Sequence, residues 1–217
     1  MKKITASLLV AAIIVSMSAC GVKNESSAPA TSKTQSVSQT SDQKILTIYF
    51  SSANTADVDA VSSATPSFDG SSATATVATY INNITGGDIA KITPVNDYPT
   101  DYNGTADAAK SERDRDERPE FLPLDIDPED YDVIFVGYPM WWYTLPMVMY
   151  TFFDAYDFTG KTIIPFDTHA GSGDGGTFET IKEFEPGATV LEGIAVSGSR
   201  ADKSEDDVKS WLEKLGF

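Results

Sequence analysis

The stretch Asp132-Val-Ile-Phe-Val-Gly-Tyr-Pro-Met-Trp-Trp-Tyr-Thr-Leu-Pro146 decides the fold. Behind Asp132, the residues up to Val136 form a short apolar run rich in β-branched and aromatic types. A run of that length without polar alternation predicts a strand buried on both faces, as in a parallel sheet covered by helices. Gly137 is expected to end the strand, and Pro139, lacking an N–H, to block further pairing. Tyr138, Trp141, Trp142 and Tyr143 then crowd a loop framed by Pro139 and Pro146. In open α/β sheets, ligands sit beyond the carboxyl ends of the strands. The rings therefore either cover a flat ligand or form an ordinary aromatic cluster that seals the sheet top.

Working outward to the start of the chain, residues 1–20 carry an export signature. Lys2 and Lys3 precede a nearly pure apolar run from Ile4 to Val15, and the small residues Ser18 and Ala19 lead into Cys20. The run is short for a permanent membrane span. Met17-Ser-Ala-Cys20 is similar to a bacterial lipobox, in which the cysteine becomes the lipidated first residue of the mature chain. Cys20 is the only cysteine, so it has no intramolecular disulfide partner, and acylation gives an exported thiol a use. Residues 21–43 are rich in Ser, Thr, Ala, Gln and Lys with no apolar period, as expected of a flexible tether. Residues 44–217 have ordinary single-domain size. A formal charge of −16 argues against nucleic acid as a partner and against a basic membrane-binding face. A lipid with a long spacer suits an acidic domain that anionic lipid would repel.

The domain alternates strand and helix. Lys44 to Ser51 reads as a first strand, and Val77, Tyr80, Ile81 and Ile84 recur at helical spacing before a Gly86-Gly87 stop. Asp88 to Thr93 is a second strand, and Asp101 to Glu117 holds a charged helix closed by Arg118-Pro119. Asp132 to Gly137 is the third strand, followed by a helix marked by Met149, Phe152, Phe153 and Tyr156. Lys161 to Phe166 is the fourth strand, followed by a glycine-rich loop and a short helix around Phe178, Ile181 and Phe184. Thr189 to Val196 is the fifth, and Val208, Trp211, Leu212 and Leu215 stripe the last helix. Strands separated by single helices imply right-handed crossovers and an α/β three-layer sandwich.

Three loops should then meet at the carboxyl edge of the sheet. Ser51-Ser-Ala-Asn-Thr55 offers hydroxyls and an amide, and Thr74 stands where the first helix begins. Such groups, with free N–H groups at a helix N-terminus, can hold a phosphate, or they are simply caps and turns. In Asp167-Thr-His-Ala-Gly-Ser-Gly-Asp-Gly-Gly176, the glycines let backbone approach a planar ligand. His169, the only histidine, is either a site residue or a packing residue.

The combination resembles the flavodoxin-like family. The residues that carry the likeness are Ile-Tyr-Phe-Ser at 48–51, Tyr-Pro at 98–99 with Tyr102, Arg-Pro-Glu at 118–120, and Tyr131 through Trp142. Leu-Pro at 145–146, Gly-Lys-Thr-Ile-Ile-Pro-Phe at 160–166, Thr-His at 168–169 and Gly-Ala-Thr-Val-Leu-Glu-Gly at 187–193 complete it. The resemblance implies a five-stranded parallel sheet of order 2-1-3-4-5 with FMN at the switch point, a placement taken over from flavodoxins themselves. It also implies that Ser51, Asn54 and Thr74 bind the phosphate. Pro139, Met140, Trp141 and Trp142 would line the isoalloxazine ring, with Thr168, His169 and Gly171 opposite. The family's usual loop glycine is absent from Ser-Ser-Ala-Asn-Thr, and a Ser/Thr/Ala-rich insert follows to about Ser72.

Three functions are compatible with this pattern: a membrane-tethered flavoprotein that passes electrons to an unknown redox protein, an FMN-dependent reductase of a small acceptor such as a quinone, or a cofactor-free binding lipoprotein. No nucleophile–base pair or metal-ligand cluster points to hydrolysis or metal chemistry. Asp167 and Asp174 lie in the third loop and none of the three loops holds Lys or Arg, so the site is expected to oppose the extra negative charge of reduced FMN. Lipidation carries a test of its own. Cys20→Ala should move the protein from the membrane fraction to a soluble or uncleaved form; a cleaved Cys20→Ala chain that stays with the membrane would refute the anchor.

Overall fold

The computed structural model describes residues 43–52, 72–99 and 101–217. The expected signal, lipobox and tether, together with Asn54, lie outside the described residues. Among the described residues, six parallel strands form one sheet: β1 (Ile45–Phe50), β2 (Asp88–Ile92), β3 (Val133–Pro139), β4 (Thr162–His169), β5 (Thr189–Val190) and β6 (Ile194–Ser197). The order is β2-β1-β3-β4-β5, with β6 also paired to β4. Five α-helices of the described residues connect or close the strands: α1 (Ala73–Thr85), α2 (Tyr102–Asp114), α3 (Met147–Ala155), α4 (Thr177–Phe184) and α5 (Glu205–Leu215). This is the α/β sandwich expected from the alternating pattern, with the 2-1-3-4-5 order that the resemblance implies and one additional strand.

Every residue of β3 is buried. Val133 and Phe135 pack with Val77, Ile81, Val208 and Leu212 of α1 and α5. Ile134, Val136 and Tyr138 turn to the other face, against Val148, Met149 and Phe152 of α3 and Ile181 of α4. Alternate residues of one strand thus feed two cores, which is why the run shows no polar period. Helix ends follow local chemistry. Ser72 caps α1 by accepting the Ala75 N–H at 3.1 Å, and Gly86 ends it at φ 71°, its N–H donating to Asn82 O.

The strand ends depart from the sequence reading. β3 does not stop at Gly137: it runs through Pro139, which pairs with Thr168, and the Met140 N–H donates to Thr168 O at 2.8 Å. Successive N–H groups point to opposite sides of a strand, so the hydrogen Pro139 lacks would point toward β1. The pairing of β1 with β3 has already ended at Tyr49↔Gly137, and the proline costs no bond there. β4 likewise extends past Phe166, because Asp167, Thr168 and His169 pair with Ala195, Val196 and Ser197 of β6. The expected fifth strand is two strands. Its register with β4 slips by one residue between Ile163↔Val190 and Phe166↔Ile194. Pro165 lies opposite the slip and has no N–H to give the ladder, while Gly193 sits so close that a Cβ would come within 2.5 Å of Pro165 O. Tyr156, expected in the helix after β3, falls just beyond α3 in extended backbone.

Gly137 has a packing role instead of a terminating one. It is the register partner of Phe166, whose ring lies across it, and a Cβ would meet Phe166 Cζ at 2.0 Å. Gly137→Ala should therefore lower stability by about 1–3 kcal/mol through overpacking. Urea denaturation measures this, and an unchanged midpoint would show that the Phe166 ring can move aside freely.

Candidate cofactor site

The carboxyl ends of β1, β3 and β4 bring together two different surfaces. The first is a cluster of hydroxyls at the start of α1. Ser51 follows β1 and donates to Ser72 Oγ at 2.6 Å, while the hydroxyls of Thr74 and Thr168 are 2.7 Å apart. All four residues are buried. Ser72 Oγ accepts from both Ser51 and the Ala75 N–H, so its own hydrogen is kept for a further acceptor. The cluster sits at the positive end of a 13-residue helix and contains no cationic side chain.

The second surface is built by a tight turn. Trp141 and Thr144 exchange backbone hydrogen bonds of 3.1 and 3.0 Å, and the two residues between them, Trp142 and Tyr143, have φ of 51° and 60°. Two consecutive left-handed residues make a primed turn, a conformation usually left to Asn and Gly, so two bulky rings here hold strain. The turn throws adjacent tryptophans to opposite sides. Trp141 is 1 % exposed and packs edge-on against Phe50 and Tyr98 with ring centroids at 5.3 and 4.9 Å. Its indole N–H has no partner among the described residues. Trp142 is 41 % and Tyr143 74 % exposed. Trp142 is held from α2: its Nε1 donates to Ala106 O at 2.9 Å, and the Arg113 guanidinium carbon lies 5.5 Å from its ring centroid.

Between this turn and the loop after β4 lies a cavity of about 460 Å³, lined by Tyr102, Ala106, Met140, Trp142, Tyr143 and the segment Ala170–Gly171–Ser172. Gly171 has φ +128° and nothing within 4 Å of where a Cβ would stand. The loop thus offers bare backbone to whatever occupies the cavity. Gly175 closes the same loop onto the turn, its would-be Cβ 3.3 Å from Met140 Cε. His169 is half-buried at the end of β4, and its Nδ1 accepts the Gly171 N–H at 2.9 Å, so the neutral ring carries its hydrogen on Nε2. Burial holds its pKa below the usual value, against the opposing pull of Asp174.

Beneath the loop, Asp167 is fully buried, and neither carboxyl oxygen has a partner among the described residues. Burial, helped by the nearby Asp174, pushes its pKa up to about 8. Burial thus favours the neutral acid and opposes the negative charge expected of it. Beside it, the Tyr138 hydroxyl donates to Thr177 Oγ1 at 2.9 Å, which donates to Asp174 O at 2.7 Å.

The residues singled out in the sequence therefore divide. Met140, Trp142 and Gly171 line the cavity, with His169 bonded to Gly171 at its edge. Ser51, Thr74 and Thr168 meet in the hydroxyl cluster; Thr168 belongs there by its contacts. Pro139 and Trp141 are buried beneath the turn. Tyr102, Ala106 and Arg113 of α2 were not singled out as site residues. With its charges gathered in its second half, α2 reads as a solvated surface helix, and nothing in its spacing points to Trp142.

A family model described as flavodoxin matches residues 62–215. The chain belongs to the flavodoxin family. The matched region leaves β1 and Ser51 of this flavodoxin outside it. Among solved structures, the chain is similar to a candidate flavoprotein from Bacteroides eggerthii, at 26% identity and TM-score 0.64, covering 81% of this chain and 99% of that one. It also shares its fold with a flavoprotein from Lactobacillus acidophilus crystallised in complex with FMN, at 22% identity and TM-score 0.56, covering 74% of this chain and 97% of that one. No curated protein matches it.

The raised pKa of Asp167 makes stability depend on pH. The folded state keeps a proton that the unfolded chain, with an ordinary carboxyl near 3.8, gives up. Stability should be fully present below about pH 4 and fall toward about pH 8, at up to ~1.4 kcal/mol per pH unit. Asp167→Asn should flatten that fall. Urea titrations of both proteins between pH 5 and pH 8 provide the check, and parallel pH profiles would mean that Asp167 ionises freely in the fold.

Proposed function

We propose that this flavodoxin binds FMN and transfers electrons to a partner redox protein at the extracytoplasmic face of a membrane, held there by acyl chains on Cys20. One observation carries the cofactor reading: the cavity opens at the carboxyl edge of the sheet between the loops that follow β3 and β4, with an indole on one side and side-chain-free backbone at Gly171 on the other. The residues present fit FMN. The cavity falls within the range of small-ligand sites and is walled by aromatic and apolar groups, and the hydroxyl cluster at the start of α1 offers donors without a cation. The Lactobacillus relative of the same fold is an FMN complex, which supports the same choice. When bound, FMN supplies the reversible uptake of electrons, and the protein supplies orientation and electrostatics.

Each residue's part follows from its place. Trp142 and Met140 give the ring an apolar wall, and Gly171 keeps the facing loop free of side chains. Ser72 and Thr74, with the first amides of α1, serve the phosphate, and His169 offers its Nε2 hydrogen to a polar edge. Tyr102 and Tyr143 shield the cavity mouth while remaining mostly exposed. That open aromatic rim favours a second reading, in which a small planar acceptor such as a quinone is reduced directly. For the membrane setting, the support is the lipobox-like Met17-Ser-Ala-Cys20; no helix of the described residues is long and apolar enough to cross a membrane.

Adding FMN to the purified protein should shift its visible absorption and quench its fluorescence. Thr74→Ala should weaken FMN by about 1–3 kcal/mol, the scale of a hydrogen bond to a charged group, and leave riboflavin unaffected. Equal losses for both flavins would place Thr74 in folding or ring binding. An unperturbed FMN spectrum with wild type would favour a cofactor-free binding lipoprotein.

A further inference from the structure

We propose that Arg113 is a positioning residue that holds Trp142 against the cavity and, through the indole ring, biases the site toward the more negative, reduced form of the cofactor. This rests on the FMN reading above. None of the three loops holds a Lys or Arg; the structure brings a cation in from α2 instead. Arg113 lies over the Trp142 ring but is not among the residues lining the cavity, so the indole stands between the guanidinium and the ligand space.

Two features show that the arrangement is built. Trp142 stands at φ 51°, a backbone state that a bulky residue leaves unless it is held. Its Nε1 bond to Ala106 O and the guanidinium both come from α2, and both oppose relaxation of the turn. The carboxylate that Arg113 touches is not its alone, although Glu112 beside it in α2 adds a second acid. Asp114 accepts from Arg113 at 2.7 Å and from Lys110 at 2.5 Å, so one carboxylate is shared by two cations. Those two partners hold the Asp114 pKa below the ordinary value, which keeps the trio at one positive charge in excess. On the opposing loop, burial raises the Asp167 pKa and so weakens the opposing negative charge there.

A cation behind an aromatic ring draws on its quadrupole and makes its other face a better neighbour for added negative charge. Reduced FMN at neutral pH carries one more negative charge than oxidised FMN, so it gains more from Arg113. The acidic net charge of −16 works in the opposite direction, but it is spread over the chain and screened by salt, whereas Arg113 lies against the indole that lines the cavity.

The test is the dissociation constant of oxidised FMN and the two-electron midpoint potential for wild type, Arg113→Gln and Arg113→Lys. Arg113→Gln should weaken reduced FMN about three- to five-fold more than oxidised FMN. That ratio converts to a midpoint lower by about 14–21 mV at 29.6 mV per tenfold. Arg113→Lys keeps the charge and should restore most of the difference, which a purely structural role for the side chain would not produce. The gap between wild type and Arg113→Gln should narrow at high salt, because Arg113 is partly exposed. Equal midpoints for wild type and Arg113→Gln, or a Lys variant that falls as far as Gln, would overturn this inference while leaving FMN binding in place. Wild type that does not bind FMN overturns the cofactor reading itself, and this inference with it.

Discussion

Burial of β3 on both faces is the constraint from which the rest follows. A strand with no exposed residue must have a layer of helices on each side, and its neighbours must pair in parallel, because each crossover helix has to return the chain to the same end. Val133 and Phe135 anchor α1 and α5; Ile134, Val136 and Tyr138 anchor α3 and α4. With the sheet closed in this way, the carboxyl ends of β1, β3 and β4 come together. Only there can loops with polar and aromatic side chains face solvent and a ligand at once.

The turn after β3 is where packing passes into chemistry. Trp141 and Trp142 are the same residue type, side by side, yet one completes the aromatic seal with Phe50 and Tyr98 while the other lines the cavity. The sealing role raised for the loop aromatics therefore falls to Trp141, and Trp142 is the tryptophan left facing the cavity. The division depends on left-handed backbone at Trp142 and Tyr143. That strain is opposed by the Trp141–Thr144 bonds and by the grip of α2 on the indole. The ring wall is thus set by a helix some thirty residues earlier in the chain.

Periodicity exposed the frame of the fold because burial on one or two faces leaves a direct mark on residue order: the β3 run, the α5 stripe of Val208, Trp211, Leu212 and Leu215, and the Gly86 stop are all of this kind. The ends of β3 and β4 were not legible in the same way. Pro139 and the Asp167–His169 segment have loop-like composition, and their strand state comes from neighbours: where β1 stops, and where β6 arrives. The cavity residues were partly legible, since the resemblance to flavodoxins picks out Met140, Trp142 and Gly171. Arg113 was not, because a cation on a charged helix looks like a solvated one until the fold places an indole beneath it. The raised pKa of Asp167 was not legible for a related reason: it comes from burial that its own sequence neighbours do not announce.

The one-residue slip beside β4 also shapes how this part of the sheet can move. Two residues pair in β5 and four in β6, out of step with each other, so the edge consists of two short ladders instead of a single long one. Short ladders open as separate units. The β6 ladder holds Asp167, Thr168 and His169, the floor from which the cavity loop rises, while β5 braces the opposite end of the sheet. Fraying at the distant end can therefore stop at Gly193, and the floor of the site keeps its own cooperativity.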